Sequence, residues 1–61
     1  MTSTFAEVIA ETVEISEASG HDPVFTRRIR WWISEGKLPA WKVGGRLRIR
    51  LSDLDRLVER V

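Results

Sequence analysis

Three features of the 61-residue sequence predict a mainly α fold with one β-hairpin, ordered helix–helix–strand–strand–helix. The hydrophobic period changes from helical to alternating after Leu38. Two dipeptides, Asp22-Pro23 and Gly44-Gly45, mark a helix start and a tight turn. Charge is also sorted along the chain. Residues 1–22 hold Glu7, Glu11, Glu14, Glu17 and Asp22 without a Lys or Arg, a charge of −5. Residues 23–50 hold Arg27, Arg28, Arg30, Lys37, Lys42, Arg46, Arg48 and Arg50 against Glu35 alone, which makes +7. The last eleven residues carry −1, so the net +1 conceals a strongly basic middle. Segregation of this kind implies a polyanionic partner.

The elements follow in order. Thr4 and Glu7 have capping-box spacing, and Phe5, Val8, Ile9, Thr12, Val13 and Ser16 recur at helical intervals behind them. A first helix is expected from Phe5 to Ala18, stopped by Gly20, with residues 1–3 loose. Asp22 as N-cap and Pro23 in the first turn open a second helix. Its apolar stripe is Phe25, Ile29, Trp32 and Ile33, its other side presents Arg27, Arg30, Trp31 and Ser34, and Gly36 ends it. Trp41 and Val43 then alternate with Lys42, Gly44-Gly45 supplies a two-residue turn, and Arg46 to Leu51 alternates strictly. Trp41 is expected beneath the hairpin or at its rim; one face of the return strand buries Leu47, Ile49 and Leu51, and the other holds three arginines. Ser52 is expected to cap a last helix that turns Leu54, Leu57, Val58 and Val61 inward. Together these make one domain over residues 1–61, a winged helix-turn-helix.

Composition narrows the function. The chain has no cysteine and a single histidine, His21, so neither a disulfide nor a metal site is expected. No apolar run approaches the ~20 residues needed to span a bilayer, and the N-terminus lacks a signal-peptide pattern, so a cytoplasmic location is expected. No nucleophile, base and acid fall into a catalytic pattern, and neither enzymatic activity nor a cofactor is expected.

A helix fits the major groove of B-form DNA, where Arg pairs with guanine edges or grips phosphate. The second helix offers Thr26, Arg27, Arg30 and Ser34 for this role. Arg28, nearer the core margin, suits a phosphate, and Trp31 suits either the sugar-phosphate backbone or a neighbouring protein. In the hairpin, Lys42, Gly44, Gly45, Arg46 and Arg48 make up the candidate wing contact, since a minor groove and its flanking phosphates attract arginine. Arg50 lies further from the turn. The competing readings are a solvated helix face and charges that protect an edge strand from pairing. The acidic first helix reads as a solvated face or as a head-to-tail contact, with Glu7, Glu11 or Glu14 meeting basic residues of the next copy on DNA.

These residues also carry a resemblance. Arg30-Trp31-Trp32-Ile33, Glu35-Gly36-Lys37-Leu38-Pro39, Val43-Gly44-Gly45-Arg46 and the Asp53-Leu54 helix start resemble the excisionase family of winged-helix DNA-binding proteins, or recombination directionality factors. They are similar, more loosely, to the DNA-binding domain of MerR-type regulators. The resemblance implies a phage protein in a bacterial host that binds tandem sites on double-stranded DNA cooperatively, bends the DNA and contacts an integrase to promote excision. It also implies that the second helix enters the major groove and the wing the adjacent minor groove, with Arg27, Arg28, Arg30 and Arg46 at the contact. The DNA-binding part fills nearly all of this sequence, which favours an excisionase over an activator with a long dimerisation helix. The departure from the family pattern is Glu14 to Pro23, longer and more polar than usual. A small transcriptional regulator is the alternative, and a protein-interaction adaptor is the alternative from another class.

Overall fold

In the computed structural model, which describes residues 4–58, the basic middle of the chain folds much as its local signals dictate and the acidic start does not. The elements are α1 (Phe5–Glu11), β1 (Val13–Glu14), α2 (Ile15–Ala18), α3 (Pro23–Ser34), β2 (Trp41–Val43), β3 (Arg46–Ile49) and α4 (Leu51–Leu57). Three antiparallel strands form one sheet in the order β1-β3-β2. The expected order of two helices, a hairpin and a third helix therefore gains a strand and a helix near the N-terminus. The expectations for residues 1–3 and for Val61 lie outside the described residues.

The expected helix over Phe5–Ala18 is broken at Thr12. Thr4 Oγ1 accepts from the Glu7 N–H as its spacing predicts, and α1 begins there. At Thr12 the backbone turns extended, with φ −120° and ψ 162°. Two adjacent β-branched residues, Thr12 and Val13, favour that conformation. The open edge of β3 rewards it, because Val13 pairs with Ile49 and Glu14 with Arg48. Of the residues expected to face inward, Val8 and Thr12 are buried, whereas Phe5 and Ile9 are exposed. The chain then forms α2 and reverses through Gly20 and His21, both with positive φ (65° and 63°).

α3 has the expected boundaries. Asp22 Oδ1 accepts from the N–H groups of Val24 and Phe25, and Pro23 occupies the first turn. The other end closes with Gly36 at φ 73°, where the Gly36 and Lys37 N–H groups donate to the Ile33 and Trp32 carbonyls, a Schellman pair. The core lies where α2, α3, the sheet and α4 meet, built from Ile15, Ile29, Leu38, Ile49 and Leu54. Ile29 and Ile49 are fully buried, and Trp32 meets Phe25 edge-on at 6.4 Å.

Trp41 is half-buried and pairs with Arg48, and cross-strand partners share a face, so it lies on the arginine side of the sheet. Three expectations about the hairpin and last helix are corrected. β3 ends at Ile49 rather than Leu51, and Leu51 is the exposed first residue of α4. Consequently Arg50, not Ser52, occupies the N-cap position, with no side-chain cap bond. Leu54 is buried and Leu57 packs on the core as expected, whereas Val58 is exposed.

Candidate nucleic-acid interface

The two sets of arginines stand in different surroundings. On α3, Arg27, Arg28 and Arg30 are exposed, and none forms an ion pair among the described residues. Helical spacing places Arg27 and Ser34 at the centre of the outward face, Arg30 on one flank and Arg28 on the other. Arg30 lines a groove of about 250 Å³ together with Thr26, Gly45, Arg46 and Glu14, so this flank of α3 faces the hairpin tip. Arg28 lines a separate depression with Val24, Phe25, Trp32, Leu57 and Val58, beside the C-terminal end of α4. Trp31 is 48% exposed, and Lys37 Nζ sits 5.2 Å from its ring centroid. The sequence reading did not single out Lys37. The Schellman turn at Gly36 brings it back over Trp31, a fold-back that helical periodicity alone does not signal.

Thr26 lies in the same groove, but its hydroxyl is engaged in the turn before α3. Its Oγ1 donates to the Asp22 carbonyl at 2.8 Å and lies 2.6 Å from Ser19 Oγ. This pair of hydroxyls ties α2 to the first turn of α3 and fixes the direction in which α3 projects.

The hairpin arginines all meet the acidic N-terminal segment. Arg46 Nη1 approaches both Glu14 carboxylate oxygens, at 3.4 and 3.5 Å. Arg48 donates from Nε to Thr12 Oγ1 at 2.9 Å and from Nη2 to the Thr12 carbonyl at 2.7 Å, with a longer contact to the Ile9 carbonyl. Arg50 Nη2 donates to Glu11 Oε2 at 3.1 Å, and its guanidinium lies 4.9 Å from the Trp41 ring centroid. Of the expected row of three outward arginines, Arg48 and Arg50 are thus half-buried against the N-terminal segment and Arg46 alone stays exposed. Arg48, half-buried and bonded to the end of α1, holds the N-terminal segment onto the sheet. Arg46 keeps most of its surface and stands beside Gly44 and Gly45, whose φ angles of 57° and 79° form the mirror-image turn expected of a two-residue hairpin. Lys42 is exposed on the opposite sheet face from Arg46.

A family model described as a helix-turn-helix domain matches residues 24–61. The chain belongs to the helix-turn-helix domain family. That family is DNA-binding, and the match spans α3, the hairpin and α4, the region that carries the basic residues. No curated protein and no solved structure matches the chain. The acidic segment up to Pro23, which supplies β1 and, among the described residues, the carboxylate partners of Arg46 and Arg50, lies outside the matched part of the helix-turn-helix domain. No helix among the described residues is long and apolar enough to cross a membrane.

Proposed function

We propose that the protein is a sequence-specific architectural DNA-binding protein of the excisionase type. In this reading α3 lies in the major groove and the hairpin tip reaches the neighbouring minor groove or its phosphates. The observation that carries it is the juxtaposition of α3 and the tip, with Arg30 and Arg46 lining one groove and Arg27 exposed beside them. A helix with side chains is about 10–12 Å across, close to the ~12 Å width of the B-DNA major groove. Arg27 and Arg30 then reach base edges or phosphates, Ser34 adds a hydroxyl, and Arg28, Trp31 and Lys37 meet the sugar-phosphate backbone. Arg46, Gly44, Gly45 and Lys42 form the wing contact. Arg48 takes a supporting role instead, holding the wing in place through Thr12.

An excisionase role further proposes cooperative occupation of tandem sites, DNA bending and contact with a phage integrase. Of the carboxylates considered for a head-to-tail contact, Glu11 and Glu14 already face arginines of their own chain, which leaves Glu7 exposed on α1. Sedimentation on duplexes with one and with several sites tests this: cooperative loading supports it, and strictly independent occupancy removes it.

The primary test is a duplex titration across a salt series. Several phosphate contacts predict a steep fall in affinity, about 0.9 log units per log unit of salt for each phosphate neutralised. Flat, weak binding would defeat the DNA reading in favour of a protein-interaction adaptor. Stimulation of excision by a cognate integrase in vitro separates an excisionase from a transcriptional regulator that uses the same contacts.

A further inference from the structure

Glu14 stands where an acidic residue is least welcome to DNA. Its carboxylate lines the groove between α3 and the hairpin tip, among Arg30, Arg46, Thr26, Ser16 and the backbone of Gly45. A phosphate approaching Arg30 and Arg46 together must pass it. The two sides of the pair are held very differently. Glu14 pairs with Arg48 in the sheet and is the N-cap residue of α2, and its side chain is 29% exposed. Arg46 ends a tight turn with its side chain 74% exposed, and it reaches both Glu14 oxygens through Nη1 alone, at the long end of hydrogen-bond range. The backbone that carries the anion is therefore held, and its side chain is the less exposed of the two, whereas the cation has room to swing away.

We propose that Glu14 is an internal competitor for the DNA phosphate: it occupies Arg46 in the free protein, and a phosphodiester must displace it before the hairpin tip can engage. The residue thereby lowers the affinity of the domain for duplexes of any sequence, and binding becomes tight only where α3 makes enough contacts to offset the displacement. This inference rests on the DNA-binding reading and deepens it by assigning an affinity-setting residue outside the part of the chain that matches the family.

The test compares Glu14→Gln, Arg46→Ala, the double variant and Glu17→Gln with the wild type on one duplex, with thermal melting of each. Gln keeps the shape of Glu14 and leaves its backbone pairing intact. Glu17→Gln makes the same change in net charge at an exposed site outside the groove. The expected result is that E14Q binds about threefold to fivefold more tightly, the size of an exposed ion pair, although it melts no higher than the wild type. E17Q should bind like the wild type, and most of the E14Q gain should vanish when Arg46 is already Ala. Should E14Q prove too unstable to titrate, Glu14→Asp, which draws the carboxylate back from Arg46, should show a smaller gain of the same sign. Unchanged or weaker binding by E14Q, an equal gain from E17Q, or a gain undiminished in the R46A background would overturn the proposal. Each of those results leaves the DNA-binding reading standing if the wild type binds duplexes. Failure of the wild type to bind any duplex defeats both.

Discussion

Three arginines on α3 and three on and beside β3 share a side-chain type and a charge. The structure nevertheless gives them opposite surroundings. Those on α3 face solvent and form no ion pair among the described residues, and those of the hairpin lie against Glu14, Thr12 and Glu11. The difference lies in what the rest of the chain offers. An antiparallel strand with an open edge attracts any extended segment, and β1 brings the acidic start of the chain onto that edge. The outward face of α3 has no such neighbour. Identical residues thus divide into a set available for a partner and a set that mainly secures the scaffold.

The largest expected effect that sharpens this contrast is on Arg48. Replacing it by Ala leaves the Thr12 carbonyl and hydroxyl without their charged donor and should cost about 2 kcal/mol of stability, seen as a melting point roughly 10 °C lower. Hardly any change would mean that the N-terminal segment is held by other forces. Arg30→Ala should leave melting within about 0.5 kcal/mol of wild type, the usual range for an exposed site. It should instead weaken duplex binding by about tenfold, within the ~1–3 kcal/mol span of a single base or phosphate contact. Unaltered affinity would remove Arg30 from the interface. Arg50→Ala comes third. Its pair with Glu11 and its position over Trp41 are partly exposed, so calorimetry should show a loss of no more than about 1 kcal/mol. The smallest effect belongs to Glu11→Gln, about 0.5 kcal/mol, since it removes only the ion pair and leaves the Trp41 stacking. A cost for E11Q as large as for R50A would show that stacking contributes nothing.

How much of this was legible in the sequence follows from how far each determinant reaches. The limits of α3 depend on Asp22, Pro23 and Gly36, all within a turn of the helix ends, and they came out as expected. The Gly44-Gly45 turn is equally local. The break at Thr12 is not, because it depends on Ile49 and Arg48, 36 residues or more along the chain. Seen alone, Val8, Ile9, Thr12 and Val13 satisfy a helical period, and only an open strand edge elsewhere makes the extended form preferable. The side of the sheet on which Trp41 lies is a matter of register, which alternation cannot settle, since moving by one residue exchanges the faces. For the interface, helical spacing identified the exposed residues of α3. The partners of Arg46, Arg48 and Arg50 required the fold, although an arginine row alternating from 46 to 50 and carboxylates at 11 and 14 already held complementary charge.

The division between the two arginine sets is tested most directly by the salt dependence of duplex binding for Arg30→Ala and Arg48→Ala, measured side by side at a temperature where both are folded. Loss of a phosphate contact lowers the slope of log affinity against log salt by about 1, whereas loss of a scaffold bond does not. R30A should bind about tenfold more weakly with a reduced or equal slope, and R48A should keep the wild-type slope with a lowered melting point. A reduced slope and unchanged melting for R48A, with R30A indistinguishable from wild type, would contradict it.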